Sequence, residues 1–228
     1  MKVAKFPLNK KGRDFVVGDI HGAYTKLITA LDSVNFNTKT DRLFSVGDLV
    51  DRGTENEEVI ALLDSKYFHA IRGNHDDFAI QYHRLGNMDD DLYSRNGGNW
   101  FMELHYERKE KVVQAIEKLP FAMEIKTVNG SVGVIHADVP YGDWKLFQKR
   151  LPIDEECRNM AMWSRERFIS EDTTLVKGID HVIVGHNCHL EPIVLGNVYH
   201  IDTGGWLPDR YNGKFTLLEI SKAGIFDL

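Results

Sequence analysis

Asp14-Phe15-Val16-Val17-Gly18-Asp19-Ile20-His21-Gly22-Ala23 joins an unbroken apolar run to an acid and an imidazole bracketed by glycines. A continuous run, rather than an alternating one, fits a strand buried on both faces of a parallel sheet. The glycines fit tight turns at the strand's carboxyl end. Beyond them, Tyr24, Leu27, Ile28, Leu31 and Val34 keep the i, i+3, i+4, i+7 spacing of one helix face. The unit is therefore strand, polar turn, helix.

The unit recurs. A strand over Arg42 to Val46 leads into Gly47-Asp48-Leu49-Val50-Asp51-Arg52-Gly53. Thr54-Glu55-Asn56-Glu57 reads as a capping box for a helix carrying Val59, Ile60, Leu62 and Leu63. A third strand, Phe68 to Ile71, leads into Arg72-Gly73-Asn74-His75-Asp76, with a helix over Asp77 to Arg84. This β-α-β-α-β order predicts a parallel sheet with right-handed crossovers. Gly86 to Gly98 is polar and Gly/Asn-rich and reads as a surface loop, followed by a helix over Glu110 to Leu119.

The second half changes character. Phe121 to Val128, a turn at Asn129-Gly130 and Ser131 to Ile135 read as a hairpin. A helix is expected around Glu155 to Trp163, and strands over His181 to Val184, Ile193 to Leu195, Val198 to Ile201 and Phe215 to Ile220. Mostly hairpins, these segments predict antiparallel additions and a second sheet. The expected fold is an α/β/β/α sandwich of two mixed sheets flanked by helices, with residues 1–228 forming one domain.

Composition narrows the function. With 43% hydrophobic and 27% charged residues, a chain of 228 is neither disordered nor fibrous. No run of 18 apolar residues exists, so no membrane span is expected. The start carries no apolar segment of the signal-peptide kind. Cys157 and Cys188 make a poor disulfide framework, and a reducing cytoplasm is the expected location. The net charge of −6 argues against a nucleic-acid partner held by a broad basic surface.

The chemistry collects at strand ends. To the three turns are added Ile135-His136-Ala137-Asp138 and Val184-Gly185-His186-Asn187. In open α/β sheets ligands bind beyond the carboxyl ends of the strands. Singly, these motifs are ordinary: an Asp before a glycine turn caps helices, and a buried His is usually structural. Jointly, Asp19, His21, Asp48, Asn74, His136 and His186 form a donor set of carboxylate, amide and imidazole without thiolate. That set suits manganese, iron or zinc better than calcium, and is unlike a structural zinc site. Six donors exceed the needs of one ion with open positions. Two divalent ions sharing a bridging carboxylate fit better, and their surplus positive charge suits a phosphate ester. His75 adjoins Asn74 but points elsewhere on an extended chain, as a general acid rather than a ligand. Asp51 is placed to fix its tautomer. Arg52 and Arg72 are candidates for holding phosphate oxygens, and Arg165 in Trp163-Ser164-Arg165 is a weaker one.

The motifs GDIHG, GDLVDRG and RGNHD, with IHA and VGHN, resemble the phosphoprotein phosphatases of the calcineurin-like metallophosphoesterase superfamily. The resemblance spans about residues 12 to 220 and includes WSRERF and YHIDTGG. It implies the sandwich fold, with Asp19, His21 and bridging Asp48 on one metal. Asp48, Asn74, His136 and His186 would hold the other. It implies hydrolysis of phosphoserine or phosphothreonine in proteins and leaves phosphotyrosine open. A metal-activated water would attack in line. His75 would be the acid, oriented by Asp51; Arg52, Arg72 and Arg165 would meet the phosphate, and Asn74 would also touch substrate. One departure is Asp76, where the protein phosphatases have Glu. Asp there also occurs in symmetric dinucleoside-tetraphosphate hydrolases, which usually lack the counterpart of Asp51. That activity is the first rival. A phosphodiesterase or nuclease, and a non-catalytic module on a decayed scaffold, are the others. His200 is expected to be structural.

Overall fold

The computed structural model describes residues 3–128 and 130–221. Along the chain the strands are β1 (Ala4–Phe6), β2 (Asp14–Val17), β3 (Arg42–Ser45), β4 (Phe68–Ala70), β5 (Ala122–Thr127), β6 (Gly130–Ile135), β7 (His181–Val184), β8 (Ile193–Leu195), β9 (Val198–His200) and β10 (Leu217–Glu219). The helices are α1 (Tyr24–Ser33), α2 (Asn56–Ala61), α3 (Asn74–Ile80), α4 (Asp90–Arg95), α5 (Asn99–Met102), α6 (Tyr106–Ile116), α7 (Trp144–Arg150), α8 (Glu155–Trp163) and α9 (Glu166–Ser170).

Two mixed sheets face each other. One runs β10-β2-β3-β4, with β2, β3 and β4 parallel as the repeated unit predicts and β10 antiparallel on β2. The other runs β1-β5-β6-β7-β9-β8. Phe15 and Val17 of β2 face the helical layer, while Val16 packs between the sheets with Phe44, Met123, Val134 and Ile183. Both faces of β2 are buried, which is why its sequence does not alternate. On the far side, Trp144, Phe147 and Ala161 of α7 and α8 cover the second sheet. The α/β/β/α sandwich is the observed fold.

Several local expectations change. The β5–β6 and β8–β9 hairpins form, yet β6, β7 and β9 pair in parallel, so the second half is less antiparallel than its hairpins suggest. Asn129 of the expected turn lies outside the described residues. Thr54 is not a cap: Glu55 occupies the position before α2, and its carboxylate accepts instead from the Thr25 backbone N–H and hydroxyl. The third helix begins at Asn74, not Asp77, and its continuation over Gln81–Leu85 is a π turn. The expected loop of Gly86 to Gly98 contains α4, capped by Asp89, whose carboxylate accepts from the Leu92 N–H at 2.7 Å.

Candidate metal centre and active site

Each parallel strand delivers one piece of the site just past its end. Asp19 follows β2, Asp48 follows β3, Asn74 and His75 open the helix after β4, His136 follows β6 and His186 follows β7. The turns interlock through the backbone: Ile20 N and His21 N both donate to Asp48 O, at 3.0 and 2.8 Å. His21 is therefore not extended, as its two-residue spacing from Asp19 suggested, but left-handed at φ 44°. Asp48, Asp51, Arg52 and His186 are left-handed too. Non-glycine residues hold such conformations when their surroundings over-determine them, and such residues cluster at functional sites. Two glycines make room for carboxylates. A Cβ on Gly185 would lie 2.0 Å from Asp19 Oδ1, and one on Gly73 would lie 2.2 Å from Asp48 Oδ1.

The imidazoles are oriented by backbone carbonyls. His21 Nδ1 lies 2.8 Å from Val50 O, and His136 Nδ1 lies 2.8 Å from Val46 O. If each Nδ1–H donates there, each Nε2 turns a lone pair inward. His21 Nε2 is 3.6 Å from Asp48 Oδ2 and 4.0 Å from Asp19 Oδ2. His136 Nε2 is 3.5 Å from the same Asp48 oxygen and 2.9 Å from Asn74 Oδ1. Among the described residues, the buried Nε2 atoms of His21 and His186 have no hydrogen-bond partner. Two sets of ligand atoms, His21/Asp48/His75 and Asp48/His136/His186, each lie within 4.8 Å of one another and share Asp48.

Charge points the same way. Asp19, Asp48, Asp51, Asp76 and Asp202 are all buried at this edge. Burial and the neighbouring Asp202 carboxylate push Asp19 well above the usual carboxylate range. Burial also lifts Asp48, but His136, His75 and His21 outweigh it and hold it well below. Burial, then Asp48, raise Asp76 to about 7. Burial and His136 drop His186 to about 3. At His136 the effect of burial is reversed by Asp48, and the ring rises to about 9. So much buried carboxylate and so many inward lone pairs are satisfied by cations, and the donor set fits divalent ions.

Around this cluster, His75 Nδ1 faces Asp51 Oδ2 at 2.8 Å, and its backbone N–H donates to Asp48 Oδ1 at 2.8 Å. Helical rather than extended backbone separates His75 from Asn74. Arg52 Nη2 lies 3.0 Å from His75 Nε2, and the guanidinium sits over the Trp206 ring at 4.5 Å. Arg165 reaches the second set, donating from Nη1 to Asn187 Oδ1 at 2.7 Å. Arg72, expected on the phosphate, is turned elsewhere. It donates to Asp77 Oδ1 at 3.3 Å and Glu117 O at 2.8 Å and sits over Phe121. The reason is tertiary: α3 and the end of α6 offer it two acceptors.

Sequence reasoning missed Asp202, Asn187, Trp206, Tyr93 and Trp100. Asp202 and Asn187 stood inside quoted motifs and carry the same strand-end signal as Asp19. The three aromatic residues carry no such signal. Asp76 was noticed only as a departure. Its carboxylate accepts from Leu49 N at 3.0 Å and Gly73 N at 2.8 Å, pinning two of the turns together.

The family model described as calcineurin-like phosphoesterase matches residues 15–202. The chain belongs to that family. This calcineurin-like phosphoesterase is 32% identical over 209 residues to serine/threonine-protein phosphatase 1 of Salmonella typhimurium, covering 90% of this chain and 91% of that one. It is also 32% identical over 196 residues to serine/threonine-protein phosphatase 2 of Escherichia coli, covering 83% and 86%. Among solved structures, a protein named as a candidate diadenosine tetraphosphatase superposes with a TM-score of 0.64 at 21% identity, over 98% of this chain and 99% of that one. The phosphoesterase is thus an enzyme of a metal-using family. Among its described residues no helix is long and apolar enough to cross a membrane.

Proposed function

We propose that this phosphoesterase is a phosphoprotein phosphatase that hydrolyses phosphoserine and phosphothreonine esters. The observation that carries the reading is the Asp51–His75 pair at 2.8 Å beside Arg52. The full-length similarity to two bacterial serine/threonine phosphatases supports it. Asp19, His21 and Asp48 would hold one divalent ion, and Asp48, Asn74, His136 and His186 the other; manganese is the ion proposed. When bound, the ions neutralise phosphoryl oxygens and acidify water.

The chain's own groups do the rest. Arg52 and Arg165 bind phosphoryl oxygens and stabilise charge there as the ester bond breaks. Asp51 accepts from His75 Nδ1–H, and in the imidazolium form the second proton, the one to be given up, sits on Nε2. His75 donates that proton to the leaving oxygen. Arg52 now faces the same nitrogen, so binding phosphate draws the guanidinium away and frees Nε2. Arg72 supports the turn instead of binding substrate.

A symmetric dinucleoside tetraphosphatase is the second reading, favoured by Asp76. Intact Asp51 weighs against it. The discriminating experiment compares kcat/KM with manganese for phosphoserine, phosphothreonine and phosphotyrosine peptides and for diadenosine tetraphosphate. The phosphoserine and phosphothreonine peptides are expected to lead. Faster turnover of diadenosine tetraphosphate would overturn the assignment.

A further inference from the structure

Asp51 is wholly buried, and its two oxygens have different partners. Oδ2 faces His75 Nδ1. Oδ1 accepts from Trp100 Nε1 at 2.8 Å and from the Tyr93 hydroxyl at 3.4 Å. Neither donor comes from a strand end: Tyr93 lies in α4 and Trp100 in α5. The link between them closes on the same turn from outside. Arg52 N donates to Gly97 O at 3.4 Å, and a Cβ on Gly97 would lie 2.3 Å from Arg52 N. Gly98 leaves the space that the Tyr93 ring fills, since a Cβ there would lie 2.3 Å from it.

A carboxylate can rotate, and only one of its oxygens can serve His75 at a time. Two fixed donors on Oδ1 decide which. Without them Oδ1 would be buried and unsatisfied, and the carboxylate would turn to share Oδ2 with whatever donor it could reach. We propose that Trp100, helped by Tyr93, is a positioning residue for catalysis. It locks the rotation of Asp51, and Asp51 in turn aims His75 Nε2 at the leaving oxygen.

The proposal rests on His75 acting as the acid. In that step a water oxygen forms the new bond to phosphorus as the P–O bond to the leaving group breaks, and the electron pair of the broken bond stays on the leaving oxygen. The Nε2 proton passes to that oxygen, and water later restores it. A misaimed acid harms poor leaving groups, which need the proton, and spares good ones, which do not.

The test uses the manganese-loaded full chain with phenyl phosphate and 2,4-dinitrophenyl phosphate, a poor and a good leaving group of similar size. Trp100→Phe keeps a ring but loses the indole N–H. Its kcat on phenyl phosphate is expected to fall about 10–100-fold, the range for losing an outer hydrogen-bond partner. Its KM and its rate on the dinitrophenyl ester should stay near wild type. In a His75→Asn background the same change should cost nothing further. Tyr93→Phe should show the same pattern more weakly, and it decides the matter if Trp100→Phe does not fold. Equal losses on both esters, no loss on either, or a further loss on phenyl phosphate in the His75→Asn background would overturn the proposal. His75→Asn alone reports on the acid itself. If its loss ignores the leaving group, the acid assignment fails, whatever Trp100 does.

Discussion

His75 and Arg72 sit three residues apart and have opposite fates. His75 lies between Asp51 and Arg52, beside Asp48, and its removal is a chemical lesion. His75→Asn is expected to retain both metal sites and lose at least ~100-fold in kcat, the low end for general acid catalysis. Metal content by elemental analysis and steady-state rates on phenyl phosphate check both halves. Arg72 is nearly buried, and its partners are structural. Arg72→Ala should therefore cost roughly 1–2 kcal/mol of stability, because Asp77 Oδ1 and the Glu117 carbonyl lose a donor, while Gln81 still serves the other Asp77 oxygen. KM should barely move. Urea denaturation against KM separates the two effects. The gathering of Asp19, His21, Asp48, Asn74, His136 and His186 at strand ends was legible in the sequence, because Asp, His and Asn in glycine-flanked turns are local signals. The direction of Arg72 was not, because the Glu117 carbonyl that captures it lies 45 residues away.

Strand β9 shows what an element carries besides its register. His200 is buried in it, both ring nitrogens without a partner among the described residues, beside Phe168 and His189. Burial, then His189 and Arg167, lower its pKa to about 4. The unfolded chain takes up a proton on this ring below about 6.5, and the folded chain does not until about 4. Stability is therefore lost as pH falls through that window, by roughly 3 kcal/mol at most from this one group. His200→Leu should remove that share of the slope, read as the wild-type-minus-variant difference in urea midpoint between pH 7 and pH 4.5. The sequence marks His200 as structural, and it lies outside the two sets of candidate ligand atoms found among the described residues. Other elements were less legible. Three-residue β1 is too short to show a period. The segment holding Tyr93 and Trp100 is polar, and its use emerges only when it folds over Asp51.

The two sheets of the molecule act as one frame. Strands β2, β3 and β4 of one sheet and β6 and β7 of the other point their carboxyl ends at the same edge, so five separate turns meet. The parallel units of the first half were readable from their repeated strand-turn-helix pattern. The parallel pairing of β6, β7 and β9 was not, since order within a sheet is a tertiary property and adjacent hairpins suggested otherwise. An acidic chain of net charge −6 can still offer phosphate a positive pocket, because metal ions reverse the local sign. That reversal is the core of the account, and metal reconstitution addresses it. The chain, dialysed against a chelator until metal-free, is titrated with manganese while heat and phenyl phosphate hydrolysis are followed together. Two equivalents should bind and activity should rise from background to its maximum as the second site fills. Full activity in the metal-free chain, or saturation of both signals at one equivalent, would contradict it.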